Sequence, residues 1–440
     1  MPRKGTACFL AILAVALPVL ARGGSSSGLR RQLQRQLDAL TASSGIPGAT
    51  LAVRLPGGKS IRLASGFADA EMRRPMSPGD RMLSGSIGKT FVAAVVLQLE
   101  EEGRLSIEDS LARYFPGEEW LRSLANGAQV SLRMLLSHTA GLPEYVEDPR
   151  LWADVKRWPD KAWTPRERLA YILGKPPRHA AGCGWSYADT NYILLGMVIE
   201  KVTGNSYYSE LARRILRPAR LAHTTPAVGR KLPGMVPGYS RLDEPFAIRG
   251  RVLDAGGRYL FDPQLEWTGG GLISTSADLA AWAAYLFEGR AFSGAQLEKM
   301  LARVKATAEW DYGLGAIIRD AGHGTSFGHA GFAPGYSSIM EYVPAGRFAI
   351  ALQFNCDYVS SAAGKTRHEI ASEFIGSISA FLGSPGHSPL VQSISLEPSP
   401  RPGQGAALRR GPGATPPRAG GGRTAAAPGR DAPGNTGSSG

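Results

Sequence analysis

Leu29, Leu33, Leu37 and Leu40 recur at helical spacing in an otherwise polar stretch, which predicts a helix with one apolar stripe. After Gly45–Gly48 the pattern shortens. ATLAVRL (49–55), the turn Pro56-Gly57-Gly58 and SIRLAS (60–65) predict two strands around a tight turn. Residues 86–102 read as the next helix, and Phe91 to Leu97 is apolar on nearly every side, as in a helix buried all round. From about Ser106 to Glu266 helical patterns alternate with loops marked by Pro and Gly. Strands return in YSSIMEYV (336–343) and RFAIALQF (347–354), joined at Pro344-Ala345-Gly346. Ile370, Phe374, Ile378 and Phe381 then predict a last amphipathic helix. The economical arrangement is an α/β (α+β) fold: one antiparallel sheet built from both chain ends and flanked by helices, with a mostly helical subdomain inserted at about 106–266. A functional cleft is expected where the two parts meet.

The termini read differently. Arg3 and Lys4 precede an apolar run from Ala7 to Leu20 that closes on Val19-Leu20-Ala21, the pattern of a cleavable secretory signal over 1–21. The run is short of the ~20 residues a membrane span needs. A mature chain starting near Arg22, periplasmic or secreted, is therefore expected. From about Ser384 to Gly440 the chain is dominated by Pro, Gly, Ala, Ser and Arg, too poor in apolar side chains to form a core, and is expected to be disordered. The folded domain is thus expected to span 22–383.

Hydrophobic residues make up 43% of the 440 and charged residues 20%, an ordinary globular balance. The net charge of +13 is partly concentrated in the tail (Arg401, Arg409, Arg410, Arg418, Arg423, Arg430) and otherwise scattered. It forms no stripe interleaved with aromatic residues, so no nucleic-acid partner is expected; the basic tail fits loose association with an anionic cell envelope. With Cys8 in the signal, Cys183 and Cys356 are one pair that could or could not be bonded. The seven histidines show no H-E-x-x-H spacing, and neither a metal nor a cofactor is expected.

Two phosphate-loop look-alikes fail. Gly88-Lys89-Thr90 has Leu83, and Gly364-Lys365-Thr366 has Val359, where the first glycine of the loop belongs. Gly24-Ser25-Ser26-Ser27-Gly28 matches a nucleophile elbow by letter but has no strand before it. What remains is Ser86-Ile87-Gly88-Lys89. Residues at i and i+3 share a helix face, so the serine hydroxyl and lysine ammonium can meet at the first turn of an apolar helix. Free N–H groups there favour a developing anion, and burial should lower the lysine pKa toward that of a useful base. That is the chemistry of an activated serine nucleophile.

Further along stand Tyr187-Ala188-Asp189, just ahead of an apolar helix, and His329-Ala330-Gly331, on a strand leading into the last hairpin. Ser86-x-x-Lys89, Tyr187-x-Asp189 and His329-x-Gly331, in that order, resemble the three motifs of the penicillin-recognising serine hydrolases, in particular the class C β-lactamase, DD-peptidase and family VIII esterase branch. LLSHTAGL (135–142), GGGLISTSADLAAWAAYL (269–286) and YGLG (312–315) are similar as well, and the likeness covers most of 30–382.

The resemblance implies that Ser86 is acylated by the substrate carbonyl. It implies that Lys89 and Tyr187 share base and acid duty, and that the amides of Ser86 and Phe332 form the oxyanion hole. Asp189, His329, Gly331 and Phe332 would touch the substrate, Gly331 because a side chain there would crowd it. His138 reads as a structural hydrogen-bonding residue, and Trp185, Trp267 and Trp310 as core residues or cleft walls. Two departures stand out: Asp189 where the β-lactamases carry Asn, and His-Ala-Gly in place of Lys-Thr-Gly. A carboxylate only accepts hydrogen bonds, and histidine, with an ordinary pKa near ~6.5, lacks the fixed charge and hydroxyl that help hold a substrate carboxylate. The expectation is a serine hydrolase acting through an acyl-enzyme on an ester, a peptide or a related amide. The alternatives are a β-lactamase or D-Ala-D-Ala carboxypeptidase, and a catalytically silent envelope-binding protein of the same fold.

Overall fold

The computed structural model describes residues 26–383; the expected signal segment with Cys8 and the expected disordered tail lie outside the described residues. Helix α1 (Ser26–Ser44) buries Leu29, Leu33 and Leu37, the stripe seen in the sequence. Strand β1 (Gly48–Arg54) turns through Pro56–Gly58 into β2 (Ser60–Asp69), and Gly57 and Gly58 take the left-handed φ values of +74° and +85° that this turn requires. Helix α2 begins one step later than the pattern suggested: Gly85–Ile87 forms a 3₁₀ turn and the α-helix runs Gly88–Glu101. Phe91 to Leu97 are fully buried, as their composition required.

Between Ser106 and Glu266 the chain forms mainly short helices, of which α3 (Asp189–Thr203) is the longest, together with a two-stranded ribbon, Tyr239–Leu242 with Ile248–Arg251. Helix α4 (Ser276–Phe287) follows, and the chain returns through β3 (Gly324–Ala333), β4 (Tyr336–Val343), β5 (Phe348–Phe354) and α5 (Arg367–Leu382). The main sheet has nine strands. Its centre runs β2-β1-β5-β4-β3, so the β1–β5 pairing (Leu51 opposite Leu352, Val53 opposite Ile350) joins the two ends of the chain. The outer members are Arg74–Pro75 on one side and Ile317–Ala321, Asp311–Tyr312 and Val304–Lys305 on the other.

Strand alternation assigns the two faces. Ala49, Leu51, Val53, Ile350 and Leu352 share a core with α1 and with Ile370, Phe374 and Ile378 of α5. The opposite face offers Ala52, Ala349 and Ala351, and these share a core with Ala280, Ala283 and Ala284 of α4. Small side chains on both partners let helix and sheet approach closely, and Thr50 and Ser276 meet at 2.6 Å across that contact. Phe91 of α2 stacks on Trp282 of α4 with ring centroids 4.3 Å apart. Residues 329–333 of β3 pair with β4 and, among the described residues, carry no strand on the other side, which leaves an open edge beside the turn that starts α2.

Candidate active site

Glycines bring the site together. Gly85, at φ +52°, lies so near β3 that a Cβ there would stand 2.4 Å from the amide nitrogen of Phe332. A Cβ on Gly270 would meet the Gly85 carbonyl carbon at 2.6 Å, and one on Gly88 would meet Gly270 Cα at 3.0 Å. Three separate segments therefore touch backbone to backbone around Ser86, which is itself part-exposed while its neighbours are buried. Gly331 is also needed for its packing. A Cβ there would lie 1.9 Å from the Ser84 carbonyl oxygen and 2.3 Å from Ser338 Oγ, so packing beneath the turn, before any substrate contact, excludes a side chain.

Lys89 is fully buried. Its ammonium has three N–H donors, and all are engaged: Ser86 Oγ at 3.0 Å, the Gly269 carbonyl at 2.5 Å, and the Asp189 carboxylate, which forms an ion pair with it. The nitrogen also lies over the rings of Tyr187 (4.9 Å) and Tyr192 (5.4 Å). The sequence reading of a depressed lysine pKa is overturned. Burial does pull it down, but the Asp189 carboxylate, helped by Tyr187, outweighs burial and raises the pKa above its ordinary value. The carboxylate that was expected to face substrate has turned inward onto the lysine.

Tyr187 sits against the same pair, and its phenol interacts with both Lys89 and Ser86; burial pushes its pKa up to about 12 while the lysine charge works the other way. The segment carrying it is clamped by His138, which adopts φ +60°. The His138 carbonyl accepts from the Ser186 amide at 2.9 Å, and its Nδ1 accepts from the Ala188 amide at 3.2 Å. Its ring packs 4.2 Å from that of Tyr187. This histidine is a structural hydrogen-bonding residue, as its loop position suggested.

His329 is buried, with Nδ1 2.6 Å from the Ala330 carbonyl. A carbonyl only accepts, so Nδ1 carries the proton and Nε2 accepts from the Tyr312 hydroxyl at 2.8 Å. Burial, reinforced by the Lys89 charge, lowers its pKa to about 3, so the ring is neutral well into acid. Both ring nitrogens are spent inside the protein.

Sequence reasoning did not single out the carboxylates behind Asp189. Glu144 accepts the Asp189 backbone N–H and, at 3.1 Å, that of Val146; burial and then the Asp189 charge raise its pKa well above the usual carboxyl range. Burial and Asp189 likewise raise Glu266 to about 8. Of the tryptophans, Trp185 and Trp310 are part-exposed and meet edge to face at 5.3 Å beside Tyr312, forming a wall next to Tyr187, whereas Trp267 is core. Cys183 is exposed, Cys356 is buried, and both are free thiols.

A serine touching a buried lysine, a tyrosine over both and a strand amide alongside are the elements of a serine acyl-transfer site. The family model described as Beta-lactamase matches residues 33–373, and the chain belongs to that family, whose members are serine hydrolases. Among curated proteins, penicillin-binding protein 4* of Bacillus subtilis (strain 168) is 28% identical over 330 residues, 71% of this chain and 68% of that one. The chain spans about two thirds of the length of the first curated relatives it matches. Among solved structures, a D-stereospecific amidohydrolase from Streptomyces sp. is 31% identical with a TM-score of 0.67, over 76% of this chain and 97% of that one. D-amino acid amidase from Ochrobactrum anthropi SV3, complexed with L-phenylalanine amide, is 26% identical with a TM-score of 0.70, over 80% and 99%.

Proposed function

We propose that this protein hydrolyses an amide, peptide or ester bond through an acyl-enzyme on Ser86. The observation that carries this reading is the 3.0 Å contact between Ser86 Oγ and the buried Lys89 ammonium. Ser86 Oγ attacks the substrate carbonyl carbon and its proton passes to the Lys89–Tyr187 pair. The oxyanion is held by the amides of Ser86 and Phe332. Collapse breaks the bond to the leaving group, which takes the proton, and water then attacks the acyl carbon to release the acid and free Ser86. The likeness to two amidohydrolases supports an amide among the substrates, and the likeness to a penicillin-binding protein supports a cell-wall-like peptide. The export signal read in the sequence would place this reaction in the periplasm or outside the cell.

Burst kinetics test the reading. Mixing the protein with an excess of p-nitrophenyl ester should release up to one equivalent of nitrophenol per active site before the steady rate, because with so activated an ester acylation outruns deacylation and the acyl-enzyme accumulates. Linear release from time zero, at any substrate concentration, would argue against an accumulating acyl-enzyme. Benzylpenicillin in place of the ester separates the alternative: a β-lactamase turns it over, and a carboxypeptidase is trapped by it.

The ion pair with Asp189 makes a pH prediction. Asp189 favours the charged lysine, so the deprotonated pair needed for attack forms only as pH rises, and kcat/KM for acylation should climb on the alkaline side. Asp189→Asn removes the anion and lowers the Lys89 pKa. The ascending limb of the pH–kcat/KM profile should then move to lower pH, by about 1–3 units; an unmoved limb would dissociate Asp189 from the base.

A further inference from the structure

A groove of about 460 Å³ lies at the end of the sheet away from Ser86. Its walls are apolar: Leu55 and Pro56 from the β1–β2 turn, Val343 and Ala345 from the β4–β5 turn, and Phe381 and Leu382 from the end of α5. Ser26, which opens α1, and His323, just before β3, belong to its rim. Gly331 packs under the turn that carries Ser86, eight residues along the same strand from His323. At the rise of a strand, groove and site are therefore roughly 26 Å apart.

The segments around this groove carry positive charge and no carboxylate. Residues 26–37 of α1 hold Arg30, Arg31 and Arg35, and residues 53–66 hold Arg54, Lys59 and Arg62. The β4–β5 turn ends on Arg347, and the last part of α5, 374–383, has no charged residue. Every one of these cations but Arg54 is exposed, and Arg54 is half-buried. The acids bordering the segments are already engaged. Asp38 accepts from Gln34 at 2.8 Å and from Ser65 at 2.7 Å. Asp320 pairs with Arg303, Glu288 with Arg290, and Glu373 with Lys365. An uncompensated cluster of one sign repels itself in the free protein and draws an anionic surface.

We propose that this face docks on an anionic phospholipid surface, its cations on the headgroup phosphates and its apolar groove at the boundary of the acyl chains. The pairing of the two features selects that partner. A soluble polyanion would use the charge and leave the groove idle, and a neutral bilayer would use the groove and ignore the charge. Each cation held near anionic lipid is worth about fivefold in affinity. Docked in this way, the protein would turn the end of β3 that bears Ser86 away from the bilayer. The inference does not depend on the acyl-enzyme reading.

Vesicle co-sedimentation of the full chain tests it, with a melting curve on each variant. The wild type should bind vesicles of phosphatidylglycerol and phosphatidylcholine in equal parts far better than pure phosphatidylcholine, and salt should weaken the binding. Changing Arg30, Arg31 and Arg35 together to Gln should weaken it by about a hundredfold. Two changes leave the charge alone and probe the groove. Phe381→Ser with Leu382→Ser should weaken binding by about tenfold, and Ala345→Trp, which adds an interfacial side chain at an exposed position, should tighten it. The series is repeated with the tail arginines 401, 409, 410, 418, 423 and 430 changed to Gln, where the same factors should return. Equal binding to both kinds of vesicle, or an α1 variant that binds as the wild type does, would overturn the proposal. So would groove variants that both leave binding unchanged, which would make the partner a polyanion, or loss of all binding with the tail arginines.

Discussion

Lys89→Met lowers kcat/KM for an activated ester by about 10³- to 10⁴-fold, the range associated with losing a positioned acid–base group. The unbranched methionine fills nearly the same volume, so the loss reports chemistry and charge more than packing. Three contacts vanish together: the one to Ser86 Oγ, the one to the Gly269 carbonyl and the ion pair with Asp189. The last also carries stability, because breaking a buried pair by removing one partner costs about 3–5 kcal/mol. The lower end applies here, since the Asp189 side chain keeps 14% of its exposure and water can take up part of the lysine's role. Steady-state kinetics and a urea melt on the same preparation check both halves. Retained activity would remove Lys89 from the mechanism.

Tyr187→Phe is expected to separate rate from stability. The ring remains and keeps its 4.2 Å packing against His138 and its place beneath the Lys89 ammonium. Only the phenol oxygen, which interacts with Ser86 and Lys89, is lost. The rate constant for acylation should fall by about 10²- to 10³-fold, with a melting temperature within a few degrees of wild type. A variant that melts early and acylates at the normal rate would make Tyr187 a structural residue only.

The parts of this protein that could be read from its sequence are those where the pattern is long and the chemistry local. The two hairpins announce themselves through Pro/Gly turns between apolar runs, and α1 and α5 through stripes at i, i+4 and i+8. Helix α2 is apolar all round and is buried all round. The outer strands could not be read. Asp311–Tyr312 and Val304–Lys305 are two residues each, too short for any period to show, and the pairing of strands that neighbour them supplies their structure.

The site divides in the same way. Ser86 and Lys89 meet because i and i+3 share a face, which spacing alone reveals. The state of Lys89 was misread because it depends on a partner 100 positions away: burial and Asp189 act in opposite directions, and only the fold shows that the carboxylate turns inward. The Gly269 carbonyl that takes another lysine proton is backbone and leaves no residue signature, although the run of three glycines at 269–271 was a visible sign of close approach.

The central claim is that Ser86 is the nucleophile. Intact-mass analysis after exposure to a fluorophosphonate, with wild type and Ser86→Ala side by side, tests it most directly. A single adduct on the folded wild type, absent from the variant, is the expected result. An unmodified wild type, or an adduct that persists in Ser86→Ala, would contradict it.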